Sequence, residues 1–204
     1  SHVTLPQVAG MFNGDRARFA ATVEAYRRSA EETFAPSIEY ARGMAKGWGH
    51  TLEDLLGVFF GEELSAGPPA ERCSTLCVWT PEGWIVGHME DYWLAFYGRM
   101  HIYDLDIDGY PRTVSLNYPG YLPHLAGSLN EAGVAITNNA LWCPARPGKA
   151  KQVNHFEASL QSNALEAMQR VIRPQSALTD HYLIVDAEDR GVSIEVTAEE
   201  NLVR

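Results

Sequence analysis

The stretch that most constrains this chain is CSTLCVWTPEGWIVGHMEDYW, residues 73–93. Cys73–Trp79 mixes Cys, Thr, Val and Trp, a β-prone set. Pro81-Glu82-Gly83 then supplies turn chemistry, and Trp84–His88 resumes an extended apolar pattern. The stretch therefore reads as a two-stranded hairpin with Cys73 at the start of its first strand, directly behind an exposed Pro/Gly linker, 64–72. A cysteine so placed has one chemistry open to it above others. Cutting the Arg72–Cys73 bond would give Cys73 an α-amine, whose ordinary pKa of about 7.7–8.0 lets it take the thiol proton near neutral pH. A turn at Pro81-Glu82-Gly83 brings Asp91 back beside Cys73, where its carboxylate would orient that amine.

Before the hairpin the pattern is helical. Phe19, Val23, Tyr26 and Ala30 make one stripe of a helix over Asp15–Phe34, ended by Pro36, and a second helix follows over 37–46. Thr51-Leu52-Glu53-Asp54 is a capping-box variant opening a third, with Leu52, Leu55, Leu56 and Phe59 on one face. After the hairpin come strand signals. His101–Ile107 and Arg112–Leu116 flank the turn dipeptide Asp108-Gly109, and Asn130-Glu131-Ala132-Gly133 turns into the apolar run 134–141. Leu160, Ala164, Met168 and Val171 form a single helical stripe behind an N-cap at Asn154, and a last hairpin runs His181–Asp186 and Val192–Thr197. The residues alone give a helical start followed by mostly antiparallel sheet with a helix, an α+β chain.

Two further groups carry candidate chemistry. Strands deplete Asn unless the side chain has polar work, so Asn138-Asn139 at the end of an apolar strand is a candidate oxyanion donor; the alternative is a strand end passing into a turn. Such a donor is worth roughly 3–4 kcal/mol in comparable sites. Tyr92, Trp93, Phe96, Tyr97, Tyr103, Tyr110, Tyr118 and Tyr121 are either sheet core or a wall for an apolar acyl group, and Tyr92 and Trp93 are the substrate-binding candidates among them.

The hairpin resembles the nucleophile hairpin of the isopenicillin N acyltransferase (acyl-coenzyme A:6-aminopenicillanic-acid acyltransferase) family of N-terminal-nucleophile cysteine hydrolases, related to penicillin V acylase and bile-salt hydrolase. Cys73-Ser74-Thr75 and Gly87-x-x-x-Asp91 match the pattern of a processed Cys followed by Ser or Thr and a hairpin ending G-x-N-x-D. Met89 stands in place of the Asn, and His88 lies where relatives carry Gln or Arg beside the substrate. The resemblance implies a four-layer αββα sandwich of antiparallel sheets over 73–204, preceded by a helical pro-segment, 1–72, that is cleaved at Arg72–Cys73. It also implies Asn139 as the oxyanion residue, with Asn138 the register-shifted alternative. Relatives carry a further segment of the fold beyond this point, so the rest is expected past Arg204 or on a second chain.

Composition sets the outer bounds. With 204 residues and 46% hydrophobic content the chain can bury a real core, and a net charge of −10 argues against a nucleic-acid or anionic-membrane partner. No apolar run approaches the roughly 20 residues of a membrane span. Three cysteines do not form a disulfide framework, which favours a reducing cytoplasm. Cys77 reads as core, Cys73-x-x-x-Cys77 as no metal site, and no cofactor motif is present. The stretch 142–153, with Arg146, Lys149 and Lys151, reads as a solvated basic loop. The expected activity is an autoprocessing cysteine amidohydrolase or acyltransferase working on a small amide or acyl-thioester. A non-catalytic relative that keeps the fold as a binding or assembly module is the alternative.

Overall fold

The computed structural model describes residues 15–64, 72–91, 94–124, 126–141, 144–197 and 201–203. Helix α1 (Arg16–Trp48) starts where the Asp15 carboxylate accepts the Arg18 N–H, and ends at Gly49, whose φ of 70° closes the last turn. Pro36 kinks this helix rather than ending it: Phe34 leaves helical geometry at φ −151°, and the helix resumes. Val23, Tyr26, Ala30, Ile38, Ala41 and Ala45 line its buried face. Thr51 and Asp54 cap α2 (Leu52–Phe59) reciprocally, as the sequence predicts, and α3 (Gly61–Leu64) follows.

The hairpin is β1 (Arg72–Thr80) and β2 (Gly83–Asp91). The remaining strands are β3 (His101–Leu105), β4 (Thr113–Asn117), β5 (Ser128–Asn130), β6 (Ala135–Leu141), β7 (Thr179–Val185), β8 (Gly191–Val196) and β9 (Asn201–Val203). They form one seven-stranded sheet in sequence order, every pair antiparallel. Between β6 and β7 the single expected helix is two, α4 (Lys151–Ser159) and α5 (Ala164–Ile172). The break has identifiable causes. Asn130 of β5 takes the Ser159 and Gln161 carbonyls at 3.0 and 2.8 Å, and Asn163 accepts the Glu166 N–H to start a new helix.

The chain is an α+β sandwich. Ile136, Tyr182, Ile184, Ile194 and Val196 point from the sheet into Ala158, Ala164, Ala167 and Val171 of α4 and α5. Residues of opposite parity on β6, Thr137 and Asn139, face the hairpin on the other side. The N-terminal helices share a core with the body of the chain: Phe34 and Tyr40 meet Phe156 of α4 edge-on at 5.4 and 5.8 Å, and Leu55, Leu56, Phe59 and Phe60 join the same cluster with Leu122 and Val153. No described helix is long and apolar enough to cross a membrane.

The basic stretch after β6 is not a solvated loop. Lys149 and Lys151 are buried, the first paired with Glu157 and the second 2.8 Å from Glu62 and 3.5 Å from Asp180. Backbone bonds from Arg146 to Ala177 and between Lys149 and both Gln175 and Ala177 clamp the stretch to the segment before β7. Buried cations need such partners, and here Glu157 comes from the helix that follows, whereas Glu62 and Asp180 come from distant parts of the chain.

Candidate active site

The hairpin's register decides what surrounds Cys73. Pro81-Glu82 alone forms the turn; Gly83, at φ 115°, is already in β2 opposite Thr80. The three-residue turn expected from sequence would place Asp91 opposite Cys73. One residue fewer slips the register and turns every side chain of β2 to the other face. Cys73 thus faces Glu90, Thr75 faces His88, and Asp91 stands opposite Arg72, exposed on the outer face with Met89. Asp91 is therefore not beside the Cys73 thiol, and the carboxylate that shares the inner face with it is Glu90.

These inner-face groups form one network. His88 Nε2 lies 2.6 Å from Glu90 Oε1, and the Tyr118 hydroxyl donates to Glu90 Oε2 at 3.0 Å. His88 Nδ1 lies 2.9 Å from Thr75 Oγ1, which donates to Asn139 Oδ1 at 2.8 Å and accepts from the Thr137 hydroxyl at 3.3 Å. Thr75 has one proton, and an amide oxygen takes it; Nδ1 is therefore the donor in the Thr75–His88 bond, and Nε2 is the nitrogen that faces Glu90. The thiol of Cys73, His88 and the Glu90 carboxylate lie within 4.8 Å of one another, all partly buried. Cys77, next along the same face, has its thiol pKa pushed up by burial, which keeps it a poor nucleophile.

Opposite the hairpin, β6 separates its two asparagines. Asn139 joins the network through Thr75, whereas Asn138, buried and sharing the strand parity of Ile136, lies on the helical side. The alternation of a strand permits only one of them to face the nucleophile, so Asn138 is not a substrate-facing residue. Tyr92, Trp93 and linker residues 65–71 lie outside the described residues. Among the aromatics, Phe96, Tyr118 and Tyr121 pack on one another at 5.0–6.2 Å beside Glu90, and Tyr97 is exposed. Sequence reasoning missed Glu90, and it named Thr75 only within the Cys73-Ser74-Thr75 motif and Tyr118 only among the aromatics, neither as a member of this network. Glu90 and Thr75 carry a signal, since a two-residue turn pairs Cys73 with Glu90 and Thr75 with His88; nothing local marks Tyr118 as the partner of Glu90.

No family model matches the sequence, and no curated protein matches it. In fold, the chain is similar to an amidase. That solved structure is the N-acylethanolamine-hydrolyzing acid amidase (NAAA) ortholog of Caenorhabditis elegans, with a TM-score of 0.51 and 14% identity, covering 66% of this chain. The chain spans 63% of that protein's length. At this identity the likeness is one of fold, the α+β sandwich described above.

Proposed function

We propose that the protein is a cysteine amide hydrolase or acyltransferase of the N-terminal-nucleophile kind, with Cys73 as the nucleophile. The observation that carries this reading is the convergence on one inner face of a thiol, an imidazole–carboxylate pair and the Asn139 amide. The amidase fold supports it, and so does the match of Cys73-Ser74-Thr75 and Gly87-x-x-x-Asp91 to the processed hairpin of the isopenicillin N acyltransferase family. The neighbour's name refers to an N-acylethanolamine, and the corresponding substrate class here is an N-acyl amide, its acyl group lying toward the site edge where the buried Phe96, Tyr118 and Tyr121 cluster packs beside Glu90.

Cys73 Sγ attacks the acyl carbonyl as its proton passes to a base. The C–N bond then breaks, the leaving amine takes that proton, and the thioester is released to water or to an acceptor amine. With Asn139 Oδ1 occupied by Thr75, its amide N–H groups are the ones that would meet the oxyanion. Cleavage at Arg72–Cys73 gives Asp91 a role that it lacks in the intact hairpin. Removing Arg72 from the ladder leaves the new α-amine diagonal to the Asp91 backbone, with no residue between them on that edge.

The test is intact-mass measurement of the full chain exposed to an acyl amide with a fluorescent leaving group. The expected result is a thioester adduct at Cys73 and, over days, a fragment beginning at Cys73. Cys73→Ala should abolish both, with turnover lowered by on the order of 10³-fold or more. Turnover that survives in Cys73→Ala would overturn the reading, and a chain that forms no adduct and stays uncut would favour a binding or assembly role.

A further inference from the structure

We propose that Cys73, His88 and Glu90 form a binding site for one divalent transition-metal ion, zinc by its donor set, in the uncleaved chain. The three donors come from the two strands of one hairpin, with their ligand atoms within 4.8 Å of one another. The His88 and Glu90 side chains are only 8% and 16% exposed, so the pair is fixed against the sheet rather than waving in solvent. No sequence motif announces the site. Cys73 and His88 have no local ligand spacing, and the hairpin register alone brings them together.

What separates this from a chance cluster is that two of the three ligands, His88 and Glu90, are already held by a second partner. Thr75 binds His88 Nδ1, which leaves Nε2 for the metal, and Thr75 is itself held by Asn139 and Thr137. Tyr118 binds Glu90 Oε2, which leaves Oε1. Metal-bound histidines and carboxylates nearly always have such outer partners, which set tautomer and orientation. The geometric demand is small. Nε2 and Oε1, now 2.6 Å apart, need to open to about 3.3 Å, the edge of a tetrahedron with bonds of about 2.0–2.1 Å. Three protein ligands leave one position open.

The chemistry of the donors selects the ion. A thiolate and an imidazole with a single carboxylate suit zinc or cobalt, and disfavour magnesium and calcium, which want oxygen. Thiolate and carboxylate together neutralise the divalent charge, on a chain whose net charge of −10 already attracts cations. Coordination displaces the thiol proton to solvent, so affinity rises with pH. The site requires neither cleavage nor turnover. Should the chain also work as proposed above, the metal would occupy the nucleophile's lone pair and hold it inactive.

The experiment uses the full chain stripped of metal with a chelator, titrated with cobalt and then zinc. The expected result is one equivalent bound, a thiolate-to-cobalt charge-transfer band that zinc displaces, and protection of Cys73 from iodoacetamide by zinc while Cys77 reacts at its unchanged rate. Cys73→Ala should remove the band, and His88→Ala or Glu90→Gln should weaken binding by more than about 10-fold. Thr75→Val, which keeps all three ligands and removes the hydroxyl that holds His88 together with its bonds to Asn139 and Thr137, should weaken it by about 10–100-fold. If His88→Ala fails to fold, Thr75→Val and the wild-type protection assay still decide. A band that persists in Cys73→Ala, equal protection of Cys73 and Cys77, or weak binding indifferent to His88 and Glu90 would each overturn the site. Acyl-adduct formation by the metal-free chain is read separately, so failure of the amidase reading and failure of the metal site are told apart.

Discussion

Glu63 and Asp180 are carboxyls held where their charge is costly. Burial pushes the Glu63 pKa from 4.5 up to about 8; the neighbouring charge of Glu62 adds to this, against the Lys151 N–H that donates to it at 2.7 Å. Asp180 is pushed up to about 7, first by burial and then by Glu62, with Lys151 pulling the other way. The folded chain therefore keeps protons that the unfolded chain has already released. The resulting stability is fully present below the unfolded pKa, near 4.5 for Glu63, and is lost as pH rises through about 8. Wild-type stability should thus fall between about pH 5 and pH 9. Glu63→Gln retains an oxygen for the Lys151 N–H and removes one titration, so its urea midpoint should fall less over that window and exceed the wild-type value at the upper end. Parallel pH profiles for the two proteins would show that Glu63 does not carry this proton.

The stretch between β6 and α4 shows how a segment that looks like a loop acts as an element. Its carbonyls at Arg146 and Gly148 take hydrogen bonds from Tyr26 and Ser29 of α1, while its other edge is laddered to 175–177. Gly148 sits at the closest approach: a Cβ there would lie 2.7 Å from the Gln175 carbonyl oxygen and 2.9 Å from the Ala177 nitrogen, both backbone atoms that cannot swing aside. Gly148→Ala should therefore destabilise the chain by about 2 kcal/mol, as overpacking does elsewhere. A urea midpoint unchanged from wild type would show that the clamp yields freely. Elements whose cause is local were legible in the sequence. The Thr51–Asp54 capping box, the Asp108-Gly109 turn and the helical stripe of α1 are examples, each set by residues within a few positions of one another. What depends on distant partners was not. Lys151 reads as solvated because Glu62 and Asp180 join it only in the fold, and Asn130 breaks the α4–α5 stripe from a strand some thirty residues away. At the candidate site, Cys73 and the Asn138-Asn139 pair were visible as residue types. Which carboxylate accompanies the thiol turned on whether Gly83 belongs to the turn or to the strand, a choice that propensity leaves open.

Across the whole molecule, the sandwich is covered unequally. The seven-stranded sheet has helices on one face and the hairpin on the other, but the hairpin's own outer face carries Leu76, Val78, Ile85 and Met89 at 66%, 43%, 61% and 60% exposure. Val78 and Ile85 are directly opposed across the two strands, so the exposed residues are contiguous rather than scattered. Among the described residues the hairpin is two strands wide, and a β-prone apolar face of this kind favours association with a second copy. The chain should therefore sediment as a concentration-dependent mixture and bind an apolar dye. Val78→Glu with Ile85→Lys places opposite charges across the same pair, which keeps the strand register while removing the apolar contact. Because these side chains point away from Cys73, His88 and Glu90, the double variant should become monomeric with the iodoacetamide reactivity of Cys73 unchanged. Association that persists at wild-type strength would locate the contact elsewhere, and altered Cys73 reactivity would show that the two faces of the hairpin are coupled.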